Sequence, residues 1–158
     1  MSVSSQKASK NKAVIPAEEV NFKVLDVAFG GSGVGRVDGI ACFTKGVIDG
    51  EEVPARITRR KSRFLEASLV TVIKESSHRV EAPCPYFLKC GGCSYQHIDY
   101  AHQLEIKQKQ LHDTLQRIAG IDEPPVHPII ASPEPFHYRN RITVHVRGGA
   151  PGFFVEKG

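Results

Sequence analysis

Short stretches in which apolar and polar residues alternate fill the first half of the chain. They cover residues 21–29, 36–48, 49–57 and 68–74. Glycine pairs and the Asp-Gly dipeptides at 38–39 and 49–50 interrupt these stretches, and no helical period persists. Alternation with a period of two indicates strands that bury one face. The pattern predicts a small all-β barrel of about five strands over residues 15–76, closed like an OB fold, whose outer face can bind oligonucleotides.

A helix with signals at both ends is predicted in the second half of the chain. Asp99 can cap its N-terminus, and Gly120 supplies a stop signal at its C-terminal end. Five side chains at helical spacing form a stripe that is predicted to pack on a core: Leu104, Gln108, Leu111, Leu115 and Ile118. His102 and His112 are interpreted as solvent-facing side chains without a role, the commoner position for such histidines.

A strand is predicted after a proline-rich link, over residues 138–147. Its residues alternate between a mostly apolar face, which begins at Tyr138, and a basic face that includes Arg139 and Arg141. Two interpretations of the basic face stay open. The arginines are either ordinary solvated charges on a half-buried strand or the lining of an RNA groove.

Composition and charge narrow the class of protein only moderately. The chain has 158 residues, of which 41% are hydrophobic and 24% charged, with a formal net charge of +4. A mild basic excess favours polyanionic partners without identifying one. The first twenty residues lack the apolar core of a signal peptide, and no run approaches the roughly 20 apolar residues of a membrane span. We therefore expect a cytoplasmic protein with no membrane association, beginning with a disordered tail over residues 1–14.

The glycine run at 30–35 resembles a phosphate-binding loop in spacing alone. Arg36 and Val37 stand where such a loop requires Lys and then Ser or Thr, and a β pattern follows instead of a helix. The run is therefore interpreted as a flexible turn. Its glycines still allow close approach of RNA, and Arg36 beside them is a candidate phosphate contact.

A basic run occupies residues 56–63. It contains Arg56, Arg59, Arg60, Lys61 and Arg63 and no acidic residue. An isolated run of this kind is usually a solvated loop. On a barrel beside a glycine-rich segment it becomes a candidate track for a phosphate backbone, and we predict contact with RNA.

Three cysteines, Cys84, Cys90 and Cys93, form the pattern C-x5-C-x2-C around two glycines. Thiols so close together in a reducing compartment favour a metal or cluster site over free buried cysteines. Structural zinc sites usually have two close pairs of ligands, and only one close pair is present. A 4Fe-4S cluster takes a fourth thiolate, but Cys42 is better interpreted as an inward-facing barrel residue. His97 is an alternative ligand, although a surface or hydrogen-bonding position is the preferred interpretation.

The order of four motifs resembles the RNA (uracil-5-)-methyltransferases, which include 23S ribosomal RNA enzymes and their transfer RNA relatives. The motifs are GGSGVGRVDGIACFTKGVIDGEEVPARI, CPYFLKCGGCSYQH, DYAHQLEIKQ and YRNRI. The resemblance implies an RNA-binding TRAM domain followed by the start of a central domain. It also implies that Cys84, Cys90 and Cys93 hold a 4Fe-4S cluster whose fourth cysteine lies beyond Gly158. The family's S-adenosylmethionine-binding domain, catalytic cysteine and general base lie further downstream, so no catalytic residue is assigned in this chain.

We therefore expect an α+β chain in four parts. These are the tail 1–14, the TRAM barrel 15–76, a cysteine-rich cluster loop 77–98 and the beginning of a central domain over 99–158. The expected function is RNA capture and cluster binding for an S-adenosylmethionine-dependent methyltransferase that acts on structured ribosomal or transfer RNA. The alternatives are a stand-alone, non-catalytic TRAM-type RNA-binding module and a zinc-binding interaction protein. The sequence predicts no oligomeric state.

Overall fold

The computed structural model describes residues 18–155, so the predicted tail 1–14 lies outside the described residues. Five strands form a closed barrel: β1 (Glu19–Val27), β2 (Ser32–Val37), β3 (Ile40–Lys45), β4 (Glu52–Arg60) and β5 (Phe64–Leu69). Their order around the barrel is β1-β2-β3-β5-β4. Strands β3 and β5 pair in parallel, and the other neighbours pair antiparallel. The predicted small OB-like barrel is confirmed.

The barrel interior is filled by the apolar half of each alternating strand. On β1, Phe22 and Val24 point inward, whereas Lys23 and Leu25 are exposed. The buried core cluster contains Phe22, Val24, Cys42, Val47, Val53, Ala55, Ile57, Leu65 and Ala67. The inward position predicted for Cys42 is confirmed, since that residue is fully buried.

The glycine run is only partly a turn, so its interpretation as a flexible turn was wrong in its second half. Strand β2 begins at Ser32 and includes Gly33 and Gly35. A Cβ atom at Gly35 would lie 2.2 Å from Phe22 Cδ2 and 2.5 Å from the Lys23 carbonyl oxygen. Glycine is needed here because the Phe22 ring and backbone of the paired strand β1 lie too close to leave room for a side chain.

The basic run also belongs mainly to the sheet. Arg56, Arg59 and Arg60 lie on β4, and only residues 61–63 form the turn, which the Lys61 N–H closes by donating to the Phe64 carbonyl at 2.9 Å. The strand predicted at 68–74 is shifted, since β5 runs from Phe64 to Leu69. Beyond β5 the chain stays beside β4, since the Val70 N–H donates to the Pro54 carbonyl at 3.0 Å and the Ile73 N–H donates to the Glu52 carbonyl at 2.9 Å.

The predicted helix is confirmed as α1 (Tyr100–Arg117). The Asp99 side chain accepts from the His102 N–H at 3.0 Å, and Gly120 adopts a positive φ of 71° just after the helix. The predicted packing stripe was wrong in large part, because Leu111 is 52% and Ile118 83% exposed. The helix instead buries Ile106 against Val27, Ile48 and Ile98, which form a second core cluster.

The strand predicted over 138–147 is reduced to β6 (His145–Arg147), which pairs with β7 (Ala150–Gly152). Residues 138–144 form no strand, and both of their predicted faces are exposed, including the apolar one. Alternation alone does not make a strand, and β7 is the only partner of β6 within the part of the chain that the structure describes. None of the described helices is long and apolar enough to cross a membrane.

Candidate nucleic-acid interface and cysteine loop

One end of the barrel gathers most of the predicted RNA-binding residues. Arg36 on β2 pairs with Ala41 on β3, and Ala41 pairs with Phe64 on β5. Arg36 therefore lies two strands away from the β4–β5 turn that carries Lys61 and Arg63. We call this the basic end, and it consists of Arg36, Arg59, Arg60, Lys61 and Arg63.

Acidic residues from other strands partly neutralise the β4 arginines. Arg60 pairs with Glu18 at 2.9 Å and Arg59 with Glu66 at 3.6 Å. Arg56, nearer the middle of the strand, pairs with Glu19 at 2.7 Å. The basic run has no acid in its own sequence, but antiparallel pairing brings acids from β1 and β5 beside it. Each pair is about half exposed and contributes about 0–1 kcal/mol to stability, so phosphates can compete for these arginines.

The other cations of the basic end are less engaged by acidic residues than the β4 arginines. Lys61 and Arg63 are exposed and form no ion pair with any residue that the structure describes. The Arg36 Nη1 donates to the Gly39 carbonyl at 2.8 Å, which orients its guanidinium along the β2–β3 turn. Lys61 and Arg63 in the β4–β5 turn, and Arg36 beside the β2–β3 turn, are therefore exposed near one another. This arrangement is suited to binding phosphate oxygens.

Arg139 and Arg141 are not brought into this group. Both are exposed, outside any strand, and the Arg139 guanidinium lies 5.6 Å from the centroid of the Tyr138 ring. No contact in residues 18–155 joins either arginine to the basic end. The structure therefore does not assemble the second RNA groove that was one interpretation of residues 138–147.

The three cysteines of the motif lie in one irregular loop. Cys84 and Cys90 are half-buried, Cys93 is exposed, and all three are free thiols. The Cys90 N–H donates to the Tyr86 carbonyl at 2.8 Å, and the Cys84 N–H donates to Gln96 Oε1 at 3.3 Å. Within residues 18–155, no three or more His, Cys, Asp or Glu side chains are grouped so as to hold a metal ion. The thiols therefore share a loop but do not converge on one point.

The segment after β7 packs on this loop. The Gly91 N–H donates to the Phe154 carbonyl at 3.1 Å, and Cys90 forms a bridge with Val155. The Phe153 ring lies beside Gly92, where an added Cβ would be 3.8 Å from the ring. Residues 153–155 therefore lie against the two glycines of the motif, at distances that a Cβ would also tolerate.

His97 is buried at 3% exposure, so the preferred surface position was wrong. Neither ring nitrogen has a hydrogen-bond partner of ordinary geometry among the described residues, although the Val47 backbone lies near enough to favour the charged ring slightly. Burial, and then the nearby charge of Arg79, lowers the pKa of His97 to about 4. The ring adjoins Phe87 of the cysteine loop, with centroids 5.2 Å apart, at the base of a cleft of about 380 Å³.

A buried ion pair that the sequence did not reveal ties this region to the barrel. The Glu51 carboxylate is fully buried, and Arg79 donates to its two oxygens at 2.6 and 2.8 Å. The same carboxylate accepts from the Ile48 N–H at 2.9 Å, and Arg79 also donates to the Gly46 carbonyl at 2.8 Å. No local pattern marks a pair separated by 28 residues.

His102 is also buried, so its predicted solvent-facing position was wrong. Its ring nitrogens lie 2.9 Å from Asp49 and 2.9 Å from Glu105, and its ring stacks on His78 with centroids 3.9 Å apart. Burial by itself would lower the pKa of His102, but the hydrogen bonds that the ring donates to the two carboxylates, together with their negative charge, outweigh burial and raise the pKa. The histidine thus fastens α1 to the β3–β4 connection.

The cysteine loop and α1 together cover the barrel end opposite the basic end. A Cβ at Gly31 would lie 2.7 Å from Ser94, and one at Gly46 would lie 2.7 Å from Leu88. Gln110 Nε2 of α1 donates to the Val27 and Ala28 carbonyls at 2.8 and 2.9 Å. We call this covered end, formed by residues 28–31 and 46–51, the loop end.

Comparison with known proteins identifies the barrel and relates most of the chain to longer proteins. Residues 16–70 match the TRAM domain model. An uncharacterized RNA methyltransferase of Gloeobacter violaceus is 39% identical over 89% of this chain and 31% of its own length. One from Halalkalibacterium halodurans is 39% identical over 98% of this chain and 34% of its own length. The chain thus spans about a third of the length of these curated relatives.

A solved structure resembles the chain over a similar range. It is the tRNA (uracil-54, C5)-methyltransferase of Pyrococcus abyssi in complex with S-adenosyl-L-homocysteine. The two are 30% identical, with a TM-score of 0.50, over 84% of this chain and 28% of the archaeal protein. The similarity therefore extends past the barrel into the cysteine loop and α1.

Proposed function

The chain carries a TRAM domain and is homologous over most of its length to proteins named RNA methyltransferases, and from this we propose that it captures RNA for such an enzyme. The reaction that we propose for the whole enzyme is methyl transfer from S-adenosylmethionine to C5 of uracil in structured ribosomal or transfer RNA. The observation that carries the proposal is the shared identity across barrel, cysteine loop and helix with relatives that bear this name. A reducing location such as the cytoplasm, where free thiols persist, is part of the proposal.

RNA capture in this proposal uses the basic end of the barrel. Lys61 and Arg63 bind phosphate oxygens directly, because no carboxylate competes for them among the described residues. Arg59 and Arg60 exchange their exposed ion pairs for phosphates, and Arg36 binds from the neighbouring turn. Such contacts orient the RNA without selecting its sequence, since every nucleotide carries the same phosphate. Selection of one uridine then requires groups elsewhere in the enzyme, which must also extrude the base from its stack.

The test is the salt dependence of RNA binding by the Lys61→Ala/Arg63→Ala variant. Each phosphate contact contributes about 0.7–0.9 to the slope of log K against log salt concentration. Loss of two contacts should flatten the slope by about 1.4–1.8 and weaken binding to unrelated RNAs about equally. Fluorescence anisotropy of labelled RNAs at several potassium chloride concentrations measures both quantities.

A matched control removes two cations from elsewhere. Lys74→Ala/Arg117→Ala deletes the same charge, but Lys74 bridges to Glu52 away from the basic end and Arg117 ends the helix. Its slope should stay close to that of the unaltered protein. If both double variants change the slope equally, net charge alone attracts RNA and the basic end is not a binding site.

We further propose that Cys84, Cys90 and Cys93 hold a 4Fe-4S cluster. The donor set fits iron-sulfur chemistry, since three free thiols and two glycines lie in one loop, but the thiols must draw together to bind it. Such convergence is expected because metal binding and local folding are coupled. A cluster would supply a cross-link that fixes the loop against the barrel.

Iron and sulfide analysis of anaerobically prepared protein tests the cluster. We expect up to about four irons and four sulfides per chain, brown colour, and loss of both in Cys93→Ser. Cys42→Ser is the matched control, because the Cys42 thiol is buried in the barrel and should not affect iron content. One zinc per chain without sulfide would refute the cluster.

The enzymatic part of the proposal is tested on the full-length gene product. That protein is incubated with isotope-labelled S-adenosylmethionine and unmodified ribosomal and transfer RNA, and the RNA is digested to nucleosides. Labelled 5-methyluridine is the expected product. RNA binding without any methylated nucleoside would instead support a non-catalytic TRAM-type RNA-binding module.

A further inference from the structure

Phe29 is the most exposed large aromatic side chain among residues 18–155. It stands at the tip of the β1–β2 turn with 86% of its surface accessible, more than Tyr138 at 68% or Tyr86 at 67%. Burying a phenylalanine side chain stabilises a fold by about 1.5–3 kcal/mol, and this ring contributes almost none of that. Single exposed apolar residues are common, however, so exposure alone assigns no role.

The turn that carries Phe29 is held rigidly. The Ala28 N–H donates to the Ser32 carbonyl at 2.8 Å, and the Gly31 N–H donates to the Ala28 carbonyl at 3.0 Å. Gly30 and Gly31 have φ values of 94° and 87°, which permit the tight reversal. Gln110 fixes the same turn from outside through its two hydrogen bonds to backbone carbonyls. A ring on such a turn loses little further backbone entropy on binding a ligand.

The chain around the ring leaves it open to a planar ligand. Phe29 is followed by two glycines, so no side chain flanks it on that side. Tyr95 lies near the same turn, 3.5 Å from where a Cβ on Gly31 would stand, and the Lys107 ammonium lies 5.4 Å from the centroid of the Tyr95 ring. A flat exposed aromatic ring whose face no side chain covers suits a planar base.

We propose that Phe29 is a stacking platform for an unpaired RNA base, located at the loop end of the barrel. This inference rests on the proposed RNA-binding function and extends it to a second point of contact. Strand β1 runs nine residues from the basic end to this turn, about 30 Å of extended chain. A single strand of RNA that follows the barrel would therefore meet phosphate contacts at one end and a base contact at the other. The substrate class is RNA with single-stranded nucleotides.

Phe29→Ala should weaken binding of a single-stranded oligouridylate of about 12 nucleotides by roughly 5- to 100-fold. The salt slope should not change, because stacking neutralises no phosphate. Ile118→Ala is the matched control, since it removes an apolar side chain of 83% exposure from the far end of α1 and should bind normally.

Phe29→Trp gives a direct readout, because the chain contains no tryptophan. Its fluorescence should be quenched by the oligouridylate and not by heparin, a polyanion without bases. Absence of quenching by bound RNA, or equal quenching by heparin, would overturn the stacking role.

The two levels of the proposal fail differently. If Phe29→Ala bound the oligouridylate as tightly as the unaltered protein, the stacking inference would be wrong. If Lys61→Ala/Arg63→Ala still showed weakened RNA binding, the proposed function would stand. If the unaltered protein bound neither RNA nor oligouridylate, the RNA-binding function itself would be wrong.

Discussion

His97 should make the protein sensitive to mild acid. Burial, with Arg79 second, lowers the pKa of the folded-state imidazole to about 4, whereas an unfolded histidine has a pKa of about 6.5. Protons therefore bind the unfolded chain more tightly than the folded chain. The stability contributed by neutral His97 is present above about pH 6.5 and is lost as the pH falls toward 4. Between pH 7 and pH 5 this single group removes about 2 kcal/mol of the free energy of unfolding.

His97→Leu tests this magnitude. The variant replaces an imidazole whose nitrogens lack partners, so at pH 7 we expect a loss of no more than about 1 kcal/mol. Urea denaturation followed by circular dichroism at pH 7 and pH 5 gives the free energy of unfolding. Between pH 7 and pH 5 the free energy of unfolding should fall by about 2 kcal/mol more in the unaltered protein than in the variant.

Other groups also change the free energy of unfolding over this pH range. Their contributions are the same in His97→Leu and the unaltered protein, so the difference between the two proteins excludes them. The raised pKa of His102 strengthens folding as the pH falls, the opposite sign to His97, and it does so in both proteins. Equal acid losses in His97→Leu and the unaltered protein would refute a buried neutral imidazole at this position.

Two further substitutions probe the barrel and its junction. Arg79→Met should lower the free energy of unfolding by about 3–5 kcal/mol, because it leaves the fully buried Glu51 carboxylate without its cation. Glu51→Gln added to Arg79→Met should recover part of this loss in urea denaturation, and no recovery would argue against an unpaired charge as the cause. Gly35→Ala should destabilise the barrel by about 1–3 kcal/mol or more, since its Cβ would lie 2.2 Å from the Phe22 ring. Gly152→Ala is the control, because Gly152 also lies on a strand without a positive φ but has no atom within 4 Å of an added Cβ, and an equal effect on thermal unfolding would discount the steric explanation.

Features specified by a few consecutive residues were predictable from the sequence. Asp99 and Gly120 mark the ends of α1 because a cap acts on backbone groups within three or four residues. Alternation identified β1 and the inward position of Cys42 for the same reason, since a strand exposes its two faces in turn. The Asp38-Gly39 turn between β2 and β3 is likewise local.

Features specified by distant residues were not predictable in this way. Gly33 and Gly35 look like turn residues in the sequence. Only their pairing with the distant strand β1 shows that they belong to a strand. The predicted apolar stripe on α1 did not match the buried face, because the parts of the barrel that the helix packs against decide which face is buried. Polar His102 and Gln110 bind groups on the barrel, so they lie on the packed side that apolar periodicity assigns to leucine.

The basic end illustrates how a sequence pattern can identify a group of cations and miss the acidic residues that pair with them. The run at 56–63 has no acid in sequence, yet Glu18, Glu19 and Glu66 reach Arg60, Arg56 and Arg59 across the sheet. These pairs hold the arginines in place when no RNA is present, at little cost to their release. In the proposed mode of binding, a strand of RNA contacts the basic end at one end of the barrel and Phe29, which is exposed beside the cysteine loop, at the other. In the proposed arrangement both contacts lie on the barrel, so strand β1, and not the Glu51–Arg79 junction, sets the distance between them, and an RNA must span about 30 Å to reach both.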